Sequence, residues 1–131
     1  MRVVARSVVA AGVVALAAAG WAQAPGIRRV LLQRVDVEGP EQKECILGTA
    51  EVAPGGASGR HFHHGTEVGY VVEGQAELAV DGESPRRLGP GDSFRIEARR
   101  PHEARNVGPT PLRVVSAWVV EKGKPLAEPA R

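Results

Sequence analysis

Short runs of β-branched residues alternate after residue 24 with turns rich in Gly, Pro and Asp. No segment of this region repeats its apolar residues at the 3.6-residue spacing of a helix. Short strands separated by regular turns are typical of an all-β sandwich or barrel. The pattern predicts strands at residues 30–37, 44–52, 67–73, 76–80, 93–96, 103–106 and 112–120.

The first 24 residues follow a different pattern, that of an export signal. Arg2 and Arg6 form a short positive head, and the following apolar centre is shorter than the roughly 20 residues of a membrane-spanning helix. Small residues then mark a cleavage site after Ala22 or Ala24. We therefore predict a signal peptide over residues 1–24 and a periplasmic or secreted protein with no stable membrane span after cleavage. An uncleaved membrane anchor is the alternative.

Removing this segment changes the charge of a 131-residue chain whose formal net charge is +2. The segment holds two of the seventeen Lys and Arg residues and none of the fifteen Asp and Glu residues, so fifteen of each remain. A neutral domain with scattered charges lacks the basic surface of a nucleic-acid binder. We expect no nucleic-acid partner.

Length and cysteine content limit the architecture further. About 107 residues make one domain with a small core, so we expect a homodimer in which a second copy covers a sheet face. The single cysteine, Cys45, excludes an internal disulfide framework and a multi-cysteine zinc site. Its apolar neighbours favour a buried, inert thiol. A link between two chains and a reactive thiol are the alternatives.

The histidines are the candidate chemistry of this chain. Three of the four lie within four positions, at His61, His63 and His64. Because successive side chains of a strand point to opposite faces, His61 and His63 share a face and His64 points the other way. A bend after His63 would bring the Glu67 carboxylate to the same point. Closure of a barrel would place His102 opposite them.

At these residues the sequence resembles the cupins, whose first motif is G(X)5HXH(X)3-4E(X)6G. This chain meets every spacing of that motif, with Gly55, His61, His63, Glu67 and Gly74.

The second cupin motif, G(X)5PXG(X)2H(X)3N, is matched by Gly91, His102 and Asn106. Glu97 occupies the Pro position and Arg99 the Gly position of the motif. These departures place the turn before the histidine in doubt more than the histidine itself.

The resemblance implies a double-stranded β-helix, a small jelly-roll barrel, over residues 44–120. Residues 25–43 then form an N-terminal strand and lead-in, and the polar residues 121–131 form an extended or frayed C-terminal tail.

The resemblance also implies a metal held by His61, His63, Glu67 and His102. Three imidazoles and one carboxylate suit one divalent transition metal ion, which is Fe, Mn, Ni, Cu, Co or Zn.

A small metal-dependent enzyme of the dioxygenase type, acting on a small organic substrate, is the first functional hypothesis. The alternatives are a non-catalytic module that binds metal or a small ligand, and a metal-dependent isomerase or lyase. The sequence leaves open whether the protein is an enzyme. Glu67 could serve as ligand and base, with His64 and Glu97 as weaker candidate bases. Core or dimer packing is the favoured role of the bulky strand residues, and pocket walls are the alternative; these residues are Phe94, Tyr70, Val72, Val115 and Trp118.

Overall fold

The computed structural model describes residues 25–131, so the predictions made for residues 1–24 lie outside the described part of the chain. The described residues form ten strands: β1 Ile27–Val37, β2 Lys43–Val52, β3 His61–Phe62, β4 Gly65–Glu73, β5 Ala76–Val80, β6 Arg86–Leu88, β7 Ser93–Ile96, β8 His102–Asn106, β9 Leu112–Glu121 and β10 Glu128–Pro129. The predicted all-β class is confirmed. Within residues 25–131, no helix is long and apolar enough to cross a membrane.

The strands form two five-stranded antiparallel sheets. The first sheet has the order β1-β2-β9-β4-β7 and the second has the order β10-β3-β8-β5-β6. Consecutive strands often change sheet, as β3 and β4 do, and β3 and β4 are separated only by His63 and His64. The chain therefore crosses between the sheets in the middle of the histidine cluster.

Alternation along the strands builds the core between the sheets. On β4, Glu67 and Val71 are buried, whereas Val68 and Tyr70 are about half exposed. Gly69 lies on the same inward face as Glu67 and Val71. The Phe94 ring of β7 fills the space where a side chain would stand, since an added Cβ would lie 2.1 Å from Phe94 Cζ. Tyr70 thus points away from the interior, as the parity of the strand predicts.

The larger core cluster is built from Ile27, Val52, Val71, Ala76, Leu78, Val80, Leu88, Ile96 and Leu112. A second cluster joins Ile46, Trp118 and Val120 to Leu126, which follows the last long strand. Leu126 and Ala127 are buried, and β10 pairs with β3. The C-terminal segment therefore packs against the barrel.

Candidate metal centre

Four buried side chains lie close together, two on the second sheet, one on the first sheet and one at the crossing between them. His61 on β3 lies directly opposite His102 on β8 in the strand register, and their ring centroids are 4.3 Å apart. His63 follows β3 at the crossing, with its ring centroid 4.9 Å from that of His61. Glu67 on β4 completes the group. Its Oε2 lies 2.9 Å from His63 Nε2 and 3.4 Å from His102 Nε2.

Backbone carbonyls fix the orientation of all three rings. The Nδ1 atoms lie 2.7 Å from the carbonyl oxygen of Gly59 for His61, 2.6 Å from that of Leu126 for His63 and 3.0 Å from that of Arg100 for His102. A carbonyl oxygen only accepts hydrogen bonds, so each Nδ1 carries the hydrogen and donates it. The lone pair of a neutral ring is then left on Nε2, which is the arrangement found in metal-binding histidines.

The three imidazoles bring ligand atoms close together. One ligand atom from each of His61, His63 and His102 can be chosen so that all three lie within 4.8 Å of one another. The Trp118 indole N–H, which can only donate, lies 3.2 Å from His63 Nε2 and therefore agrees with an unprotonated nitrogen there.

Glu67 adds a negative charge to this group of acceptors. Burial would raise the pKa of the Glu67 carboxyl, but hydrogen bonds from His102 and His63, donated when a proton is on Nε2, outweigh burial and hold that pKa well below its usual value. A carboxylate oxygen and imidazole lone pairs repel one another unless a cation lies among them. The cation can be a proton on an imidazole or a metal ion, so the donor set fits a divalent transition metal.

His61 is available for such an ion at neutral pH. Burial, together with the neighbouring His102, lowers the pKa of His61 to about 3. The ring is therefore neutral at pH 7 and needs to lose no proton before binding a metal.

His61, Glu67 and His102 lie at the wall of a cavity between the sheets, with a volume of about 280 Å³. Its walls are mainly apolar, with Leu78, Leu88, Phe94, Leu112 and Val114 among the lining residues. Its polar lining, apart from the centre itself, consists of Arg29, Thr49, Ser58 and Ser116. Such a cavity suits a small, partly apolar molecule.

Two of the five bulky wall candidates line this cavity, Phe94 and Trp118. The other three candidates, Tyr70, Val72 and Val115, do not line it. Tyr70 and Val72 lie on the outward face of β4, and Val115 pairs with Tyr70 on the same face of the sheet.

The weaker candidate bases lie outside the centre. His64 points away from His63, and its Nε2 is 2.8 Å from Glu128 Oε1. Glu97 is largely exposed and pairs with Arg100 at 3.4 Å.

Cys45 is partly rather than fully buried. It lies opposite Val35 and Val119 in the register, on the outward face of the first sheet. The thiol is therefore less buried than expected, because the outward face of this sheet is exposed to solvent.

The turn before His102 contains a residue in a backbone conformation that glycine favours. Arg99, at the Gly position, has φ of 61°, and it is the one non-glycine residue of the described chain with positive φ. Its backbone N–H donates to the His63 carbonyl at 2.8 Å. The turn therefore links the two histidine-bearing segments, whichever side chain stands at this position.

Arg29 is the residue of the cavity that sequence reasoning missed. The predicted first strand began at Val30, whereas β1 begins at Ile27 and places Ile27, Arg29 and Leu31 on its inward face. An apolar residue on either side of the arginine, at strand spacing, is the signal that could have found it.

The sequence profile of the family described as "Cupin domain" matches residues 48–119, more than half of the chain. The chain therefore belongs to the cupin family. The jelly-roll fold predicted from the two motifs is confirmed with it, since structures of that fold match as well.

A Klebsiella pneumoniae protein with a double-stranded β-helix domain superposes with a TM-score of 0.66 at 24% identity, covering 82% of this chain and 86% of that one. KdgF from Halomonas sp. gives a TM-score of 0.57 at 28% identity, covering 72% of this chain and 80% of that one.

A curated relative is dimethylsulfoniopropionate lyase DddQ from Ruegeria pomeroyi. It is 40% identical over 45 residues, which are 34% of this chain and 22% of that protein. Its crystal structure superposes with a TM-score of 0.57 at 26% identity, covering 61% of this chain and 40% of that one. This chain thus spans less than half of DddQ.

Proposed function

We propose that this protein binds one divalent transition metal ion through Nε2 of His61, His63 and His102, with the Glu67 carboxylate as the fourth ligand. We propose further that it is an enzyme that acts on a small organic substrate in the adjoining cavity. The observation that carries the proposal is that three buried imidazoles bring ligand atoms within 4.8 Å of one another, while the Glu67 carboxylate lies 2.9 Å from His63 Nε2 and 3.4 Å from His102 Nε2.

The chain's own residues prepare the centre before any substrate arrives. The three carbonyls fix the imidazoles, so little reorganisation is needed on binding. Glu67 supplies the charge. Its depressed pKa makes it a weak base while it touches His63 and His102, which favours the role of ligand over that of base. A bound divalent metal would supply a Lewis acid or, for redox-active metals, a centre for oxygen chemistry.

Two reaction classes are candidates. A dioxygenase-type reaction follows from the resemblance of the ligand set to that of cupin oxygenases. A lyase reaction is favoured by the 40% identical segment shared with dimethylsulfoniopropionate lyase DddQ. Turnover that consumes oxygen would select the first, and turnover that continues without oxygen would select the second. No turnover across a broad panel would favour a binding module.

The metal is tested on protein purified without chelators, by elemental analysis. We expect close to one transition metal ion per chain, and loss of the metal in the H61A/H63A double variant with its β-type circular dichroism retained. His64→Ala is the matched control, because His64 faces away from the centre and the metal should remain. A wild-type protein without metal, or a double variant with full occupancy, would overturn the assignment.

We also propose that a second copy of the chain covers the outward face of the first sheet. Val68, Tyr70 and Val72 are about half exposed on β4, and Val119 and Val35 extend the apolar area across β9 and β1. An apolar area of this kind favours burial against another protein surface.

Light scattering of the wild-type protein is expected to give the mass of a dimer. The Val68→Lys variant should give the mass of a monomer. Ala79→Lys, an exposed position of the other sheet, should leave the dimer intact. A monomeric wild-type protein would disprove the interface.

A further inference from the structure

Arg29 stands at a position where the strand pattern calls for an apolar side chain. Its neighbours on the inward face, Ile27 and Leu31, line the same cavity, and its partner across the ladder is Ala50. Burying a guanidinium among such residues costs desolvation free energy, and an apolar side chain would fill the same position without that cost. Burial lowers the pKa of Arg29 to about 10, against the opposing effect of Glu67, so the group stays a cation at neutral pH.

The backbone holds this cation at the cavity wall. Arg29 Nη2 donates to the Ser58 carbonyl at 3.0 Å, and Ser58 itself lines the cavity. Arg29 also interacts electrostatically with Glu67, so it lies within the field of the metal centre. The other polar lining residues, Thr49 and Ser116, are neutral.

The formal charges of the cavity lining indicate which ligand it would accept. When the imidazoles act as neutral metal ligands, Arg29 and Glu67 are the two lining side chains with a formal charge, and their charges are of opposite sign. A divalent metal ion at the centre would raise the formal sum to about +2. In a mostly apolar space this excess favours an anion, because charges interact more strongly there than in water.

We propose that Arg29 binds the negatively charged group of the substrate, so that the substrate class is a small organic carboxylate. This inference rests on the proposed function. The planar guanidinium fork matches a carboxylate with two parallel hydrogen bonds. The apolar walls formed by Leu78, Leu88 and Phe94 then receive the carbon skeleton. The metal centre lies at the same cavity, so one molecule could reach both groups.

The test compares acids with their neutral amides of equal shape. Acetate and acetamide, butyrate and butyramide, and benzoate and benzamide are titrated by calorimetry into the metal-loaded protein and into the protein after metal removal. We expect at least one acid to bind wild type about tenfold or more tightly than its amide, as a charge-assisted hydrogen bond implies. Absence of such a preference for all three pairs would overturn the proposal.

Substitutions on β1 show which residue causes the preference for the acid over its amide. Arg29→Met should reduce the ratio of acid affinity to amide affinity about tenfold or more in the metal-loaded protein, where the metal alone can retain part of the preference. Arg28→Met removes the same charge from the outward face of the same strand, where the side chain is 73% exposed, and should leave the preference intact. Arg29→Lys should restore part of it, since the charge remains and the fork is lost. An Arg29→Met variant that keeps the preference refutes the proposal.

Metal content, measured on every sample, separates this inference from the proposed function. A wild-type protein without metal would refute the metal assignment, and its acid preference would still test Arg29. If Arg29→Met lost both metal and preference, Arg29 would be a residue that positions Glu67, and the substrate assignment would fail. If Arg29→Met did not fold, Arg29→Lys would decide, because an unchanged preference there would contradict recognition by the fork.

Discussion

Replacing Arg99 with glycine is expected to leave the protein more stable than replacing it with alanine, which reverses the usual order of these two residues. Arg99 has φ of 61°, a conformation that residues with a Cβ adopt at a cost. The cupin motif has glycine at this position. Both substitutions remove the same ion pair between Arg99 and Glu121, so the comparison isolates the backbone.

The magnitude follows from three contributions. The left-handed conformation costs a residue with a Cβ about 1–2 kcal/mol, and glycine removes that cost. Glycine loses about 0.5–1 kcal/mol more conformational entropy on folding than alanine. The net advantage of R99G over R99A is then roughly 0.5–1 kcal/mol. The ion pair, with side chains 58% and 38% exposed, is worth about 0.2–1 kcal/mol, so R99A should be less stable than wild type by that amount.

Urea unfolding of the metal-free protein, followed by circular dichroism, measures these differences. Metal is removed because its binding would add to the apparent stability. The backbone N–H of residue 99 donates to the His63 carbonyl in every variant, so the turn should persist. Arg100 supplies the control: its φ is not positive, so R100A should be more stable than R100G by about 0.5–1 kcal/mol. A more stable R99A than R99G would refute the strain at this position.

Three further predictions concern the core, the centre and the tail. Gly69→Ala should destabilise the protein by about 1–3 kcal/mol in urea unfolding, because its Cβ would collide with the Phe94 ring and push it into the cavity; unchanged stability would show that the ring moves freely. In the metal-free protein, the pKa of His61 is lowered to about 3. The free energy of unfolding should therefore fall as the pH drops from about 6.5 towards 3, because His61 binds a proton in the unfolded chain but not in the folded chain. The fall should be shallower in His61→Gln, and equal slopes would contradict a buried neutral ring. Truncation after residue 125 should weaken metal binding about 10- to 100-fold in a competition assay, since it removes the carbonyl that accepts from His63 Nδ1. Leu126→Ala keeps that carbonyl and should bind metal nearly as wild type does, so equal losses in the two variants would argue against the carbonyl.

The long strands could be predicted because each buries one face. Residues 76–80 and 93–96 coincide with β5 and β7, and residues 44–52 differ from β2 by one residue. β3, β6 and β10 have two or three residues, too few to show an alternating pattern. They form because neighbouring strands offer unpaired backbone groups, which is a property of the folded sheet.

The parts of the centre differ in how far the sequence reveals them. The spacing of His61 and His63 predicts a shared face, and the structure places their rings together. The position of His102 depends on closure of the barrel, which spacing alone does not determine and the second motif implies. Arg29 lies beside Arg28 in the sequence and looks like part of a solvated pair. Only the start of β1 at Ile27 assigns the two arginines to opposite faces.

The departures from the second motif can be tolerated because the centre depends there on backbone atoms. Three carbonyls, of Gly59, Arg100 and Leu126, orient the three imidazoles, and each comes from a segment outside the long strands. Any residue type supplies a carbonyl, so the side chain at such a position can vary while the path of the chain is kept. Arg99 holds a positive φ, which glycine favours, at a cost of about 1–2 kcal/mol in backbone strain. The requirement of the site at this turn is therefore geometric, and residue identity at the turn is a weak guide to whether the centre is intact.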